Sequence, residues 1–117
     1  MTKTYILDID GTLLEHIPNF QEIHSHPSLR ALPGAKEKTS LWHCQGHVIV
    51  LMTARPEGLR KLTEQQLHNA GIIYDMLIMG VGQGPRILVN DFVPGAEQKA
   101  IGINIVRNLD GIINVNS

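Results

Sequence analysis

Five short apolar runs, at residues 5–9, 48–52, 76–79, 87–89 and 103–106, recur along the chain and alternate with helix-like stretches. Each run is nearly continuous rather than alternating, the pattern of parallel strands covered on both faces. Residues 35–44 follow Pro33-Gly34 and stop before Gly46, and residues 57–70 stop at Gly71, so both carry helix start and stop signals in the expected places. A third, short helix is expected over residues 96–100. Strands alternating with helices predict an α/β fold with a doubly wound, mostly parallel sheet and right-handed crossovers. A chain of 117 residues, 43% hydrophobic and 18% charged, is expected to form one domain over residues 1–117, with no second core.

Charge and cysteine usage narrow the functional classes. Ten Lys and Arg face eleven Asp and Glu, a formal net charge of -1, so no basic field points to nucleic acid or anionic lipid. One cysteine, Cys44, leaves no internal disulfide framework and fits a reducing compartment. The first apolar run is too short for a secretory signal and is broken by Asp8, and no run approaches membrane-spanning length. The expected location is cytoplasmic.

In open α/β sheets, ligands bind outside the carboxyl ends of the strands. The positions to inspect are therefore Asp8 and Asp10, Thr53, Gly80 and Asp91. The first run ends in Asp8-Ile9-Asp10-Gly11-Thr12, two carboxylates one residue apart. Alternation along a strand lets both point the same way. Acids at the end of a buried strand are costly unless a cation offsets them. Two such acids suit a hard divalent cation, and one of them can act as a nucleophile toward phosphorus. Residues 15–33 hold three prolines with His16, His24 and His26, and read as a long lid or binding loop. Residues 80–85 read as a flexible rim, and Asp110-Gly111 as the turn of a terminal hairpin. His43, Cys44 and His47 do not supply four zinc ligands at a recognised spacing.

Three of these segments, in order and spacing, resemble motifs of the haloacid dehalogenase-like hydrolase superfamily, whose members are mostly phosphatases. They are Asp8-Ile9-Asp10-Gly11-Thr12, the apolar run that ends at Thr53, and the run that ends at Asn90-Asp91. The resemblance implies that Asp8 is the nucleophile, forming an aspartyl-phosphate. Asp10 would protonate the leaving alcohol and then activate water. Mg²⁺ would lie among Asp8, the backbone carbonyl of Asp10, and Asp91. Thr53, Ala54 and Arg55 would meet the phosphate at a turn leading to a helix N-terminus.

Two departures from the family pattern stand out. The third motif normally supplies a Lys; here Arg86 is the candidate cation, with Lys99 as the fallback. The fourth normally carries two acids; here Asp91 stands with Asn90 or Glu97 as possible helpers. Only 40 residues separate Thr12 from Thr53, and a helix fills part of them, so the resemblance is to a capless member. Cover for the site would then come from residues 15–33 or from a neighbouring subunit of a homo-oligomer. The implied function is a Mg²⁺-dependent phosphomonoester hydrolase acting on a small phosphorylated metabolite such as a sugar phosphate. The alternatives are a catalytically weak relative that binds a phosphorylated ligand, and a polynucleotide end-phosphatase, which the charge balance disfavours. A receiver-type phosphoacceptor fits poorly, because the strand after the first helix ends in Thr53 rather than Asp.

Overall fold

Three of the five apolar runs become strands. The structure, a computed structural model, describes residues 1–23 and 26–116; His24, one of the loop histidines read from the sequence, lies outside them. In chain order the elements are β1 (Thr4–Asp8), α1 (Phe20–Ile23), α2 (Ala35–Cys44), β2 (Val48–Met52), a 3₁₀ turn (Glu57–Leu59), α3 (Arg60–Asn69) and β3 (Met76–Ile78). The strands pair in the order β1-β2-β3, both pairs parallel. The α/β class and the parallel sheet are thus as the sequence predicts.

Register explains where the core sits. Tyr5 pairs with Ile49, Leu7 with Leu51, and Leu51 with Leu77, so these side chains share one face of the sheet. Leu7, Ile49, Leu51 and Leu77 join Trp42 of α2 and Leu67 of α3 in a single buried cluster. Tyr5 stacks flat on Trp42, ring centroids 3.8 Å apart and planes 6° from parallel. The Ile73 N–H donates to Thr39 Oγ1 at 3.2 Å, tying the segment after α3 to α2. Pro33-Gly34 starts α2 as read: Gly34 has φ 83°, and a Cβ there would lie 2.7 Å from the backbone of Ile113.

The three described strands carry their helices on one face. The order β1-β2-β3 advances in one direction, and right-handed crossovers in one direction place both connections on the same face. The opposite face stays open, with Ile6, Val48 and Met76 exposed; of the strand residues facing that way only the central Val50 is buried. The runs at 87–89 and 103–106 are not strands, and 96–100 is not a helix, only a turn in which the Ala96 N–H meets the Val93 carbonyl at 2.9 Å. Connection length supplies the reason. A strand parallel to β1 must begin at the opposite edge from where β3 finishes, which takes a crossover of a dozen or more residues. Eight residues separate Ile78 from Ile87. β1 is therefore left as an edge strand.

The chain returns to the body after this excursion. The Asn108 N–H donates to the Gly11 carbonyl at 3.0 Å, and the Ile112 N–H to the Pro33 carbonyl at 3.1 Å. Asp110-Gly111 does form a turn, with Gly111 at φ 56°, but no strands flank it among the described residues. The two ends of the 15–33 stretch are tied to the body and to each other: Leu32 N–H bonds the Leu13 carbonyl and Glu15 N–H the Arg30 carbonyl, both at 2.9 Å. No cap domain is inserted among the described residues, and no helix there is long and apolar enough to cross a membrane.

Candidate active site

The sheet's carboxyl edge is built around Ile9, which is wholly buried just past the end of β1. Its carbonyl accepts the N–H groups of Thr12, Leu13 and Leu14 at 3.2, 2.9 and 3.0 Å, curling residues 9–14 into a tight loop. Gly11 takes φ 86° within it, and a Cβ there would stand 2.8 Å from Arg107 Cγ. The loop presents Asp8 and Asp10 side by side. Thr12 Oγ1 donates to Asp8 Oδ2 at 3.2 Å. Desolvation at the strand end pushes the Asp8 carboxyl above the usual Asp range. The Thr12 hydroxyl opposes that rise, the Asp10 charge adds to it, and the Ile9 N–H and the Arg86 charge oppose it again.

Asp10 is held by a fork. Arg55 Nε donates to Asp10 Oδ2 at 3.0 Å and Nη2 to Oδ1 at 2.7 Å, a bidentate pair. The Arg55 side chain is fully buried, whereas Asp10 keeps 18% of its side-chain surface. Arg55 Nη1 donates to Thr63 Oγ1 at 3.0 Å and to Gln66 Oε1 at 2.6 Å. Gln66 Nε2 in turn reaches the His26 carbonyl at 2.7 Å. A buried guanidinium is tolerated because most of its donors are met. This corrects the expectation that Arg55 faces phosphate: its donors go to Asp10 and α3.

Thr53 is also turned inward, 1% exposed. Its N–H donates to the Ile78 carbonyl at 3.0 Å, and its hydroxyl oxygen accepts the Arg55 N–H at 3.1 Å. The backbone N–H expected to meet phosphate is thus occupied, leaving the hydroxyl proton. Ala54 is half-buried at the same turn. Arg86 is exposed, bonds the Gly84 carbonyl at 2.8 Å through Nη1, and places its charge within reach of Asp8. Asp91 is exposed and paired locally, accepting from Asn90 Nδ2 at 3.1 Å. Among the described residues no three His, Cys, Asp or Glu side chains gather where they could hold a metal, so Asp91 does not join Asp8 and Asp10. Glu97 and Lys99 are exposed and belong to no helix.

Thr63 and Gln66, which hold Arg55, were not singled out by the sequence. Their signal was available: both fall in the buried register of α3 with Leu59 and Leu67, where polar residues need partners. Asn108 was missed as well. It takes φ 59° and clasps the His16 backbone, Oδ1 accepting from the N–H at 2.7 Å and Nδ2 donating to the carbonyl at 3.3 Å.

No protein-family model matches the sequence, and no curated protein does. Solved structures do match. One, described as the structure of the Pnkp1/Rnl/Hen1 complex, aligns at TM-score 0.56 and 22% identity over 74% of this chain and 31% of that one. D,D-heptose 1.7-bisphosphate phosphatase from B. bronchiseptica, complexed with magnesium and phosphate, aligns at TM-score 0.50 and 22% identity over 70% of this chain and 52% of that one. The chain shares the fold of these solved structures. A third structure, a structural-genomics target from Vibrio cholerae, aligns at TM-score 0.54 and 20% identity, over 74% of this chain and 79% of that one. The chain spans about a third of the first of these structures and about half of the heptose bisphosphate phosphatase.

Proposed function

We propose that this protein is a Mg²⁺-dependent phosphomonoester hydrolase that works through an aspartyl-phosphate on Asp8. The observation that carries the reading is the pairing of Asp8 and Asp10 in the tight loop that ends β1 of a haloacid dehalogenase-like core. An Asp8 carboxylate oxygen attacks phosphorus, and the bond from phosphorus to the ester oxygen breaks on the opposite side. Asp10 gives its proton to the departing alkoxide, then takes one from the water that cleaves the aspartyl-phosphate and releases inorganic phosphate. The Arg55 fork fixes the plane of the Asp10 carboxyl while leaving one outer lone pair on each oxygen for that proton.

The donors for Mg²⁺ fit in kind but are short in number. The Asp8 carboxylate and the Asp10 main-chain carbonyl are hard oxygen ligands at the rim, while Asp91 stands apart from them. When bound, the ion would lessen the repulsion between a carboxylate nucleophile and a phosphate dianion. The similarity to a sugar bisphosphate phosphatase and the near-neutral charge support a small phosphorylated metabolite as substrate.

Hydrolysis of p-nitrophenyl phosphate with Mg²⁺ tests the assignment. Asp8→Asn is expected to lower turnover by about a thousandfold or more, in line with removal of an essential nucleophile. An Asp8→Asn protein that keeps a tenth of the wild-type rate contradicts the role. Tight binding of phosphorylated sugars by wild type with no turnover replaces the enzyme reading with a binding one.

A further inference from the structure

Gln66 of α3 is wholly buried, where an apolar side chain of similar length would fill the space without the penalty of burying an amide. Both ends of that amide are bonded. Oε1 accepts from Arg55 Nη1 at 2.6 Å, and Nε2 donates to the His26 carbonyl at 2.7 Å. Chemistry forces this orientation, because a guanidinium only donates and a carbonyl only accepts. A turned amide would set N–H against N–H and oxygen against oxygen. Arg55 carries the connection onward through its fork on Asp10. A continuous chain of hydrogen bonds thus runs from the Asp10 carboxyl through Arg55 and Gln66 to the main chain at His26.

The same helix holds the residues that follow His26. Asn69, three positions beyond Gln66 and on the same side of α3, donates through Nδ2 to the Pro27 carbonyl and to Ser28 Oγ, both at 3.0 Å. Gln65 Nε2 fixes the Asn69 amide in turn, donating to its Oδ1 at 2.8 Å. The His26 N–H reaches back to the Ile23 carbonyl at 3.1 Å, and Leu29 is buried in the core. Residues 26–28 are therefore laid along α3. Thr63 bonds Arg55 and Asn69 bonds the segment, whereas Gln66 bonds both.

We propose that Gln66 is a positioning residue for proton transfer by Asp10: its amide locks the Arg55 fork to the main chain at His26, so the aim of the acid and the place of residues 26–28 are set together. The kinetic role rests on the phosphatase reading above; the link between His26 and Arg55 does not. Substitutions separate the two halves of the amide. Gln66→Met removes acceptor and donor alike. Gln66→Glu keeps an acceptor toward Arg55 but sets a carboxylate oxygen against the His26 carbonyl. Asn69→Ala loosens the segment and leaves every partner of Arg55 in place. A misaimed acid matters most for an ester whose alcohol leaves poorly, since nitrophenolate departs with little protonation.

Two measurements on the full chain test the link and its use. The first needs no turnover: hydrogen exchange at the Arg55 Nε–H and at the His26 amide, followed by NMR. Gln66→Met is expected to speed both by about tenfold relative to wild type, while Gln66→Glu and Asn69→Ala speed the His26 amide alone. Exchange at Arg55 that is unchanged in a folded Gln66→Met protein, or exchange at His26 that is unchanged in Gln66→Glu, overturns the link. The second is kcat/KM for p-nitrophenyl phosphate and for an alkyl phosphate. Gln66→Met is expected to lower the alkyl value about tenfold more than the aryl value, and Gln66→Glu and Asn69→Ala to keep the ratio within about threefold of wild type. Equal losses on the two esters in Gln66→Met overturn the positioning role and leave the link standing. Wild type inert toward both esters overturns the phosphatase reading and the positioning role with it, while the exchange result still decides the link.

Discussion

At the scale of single residues, the site is two carboxylates held in different ways. Asp10 is clamped by a guanidinium with no access to water, while it keeps some access itself. Removing the two partners therefore has unequal effects. Asp10→Ala strands a buried charge and is expected to cost about 3–5 kcal/mol in denaturant unfolding. Arg55→Met leaves an acid that can rehydrate and is expected to cost about 1–3 kcal/mol. The reverse ranking contradicts the fork. Asp8 differs, because its carboxyl is pushed up, chiefly by desolvation. An acid whose folded pKa lies above its unfolded value loses stability as pH rises through the raised value. Asp8→Asn is thus expected to melt higher than wild type at neutral pH, the gap closing as pH falls through the ordinary Asp range. A lower melting temperature at neutral pH is the contrary result. The carboxylate pair was legible in the sequence because a strand end fixes where Asp8 and Asp10 stand. The direction of Arg55 was not, since it depends on the tertiary approach of Thr63 and Gln66, one and two turns into α3, which marks them as buried but not what they bond.

At the scale of elements, local signals and tertiary constraints part company. The α2 helix forms over the residues that Pro33-Gly34 and Gly46 delimit, and β2 over its apolar run, because each has its stop signals within a few residues. The run at 87–89 is as apolar as β2 yet makes no strand, because strand formation needs a partner and the preceding connection is too short to reach one. The start of α2 and the C-terminal turn lock together through two glycines. A Cβ on Gly111 would lie 2.5 Å from the Pro33 carbonyl oxygen, at a backbone φ of 56°. Gly111→Ala is expected to cost about 1–3 kcal/mol by combined strain and clash, read as a shift of the denaturant midpoint without a change in slope. An unchanged midpoint means the turn does not pack under Pro33.

At the scale of the whole molecule, the parallel three-stranded core accounts for the likeness in fold to the solved structures, and β1 stands at one edge of that sheet. Fold class could be read from the alternation of runs and helices. Which apolar runs become strands could not, because a strand needs a pairing partner that local sequence does not name. The central claim is that Asp8 takes the phosphoryl group, and chemical trapping tests it most directly. Wild-type protein is incubated with Mg²⁺ and a phosphorylated substrate, quenched with borohydride, digested and sequenced by mass spectrometry. The account predicts homoserine at position 8, absent without substrate. Homoserine at position 10, 91 or any other acid contradicts it.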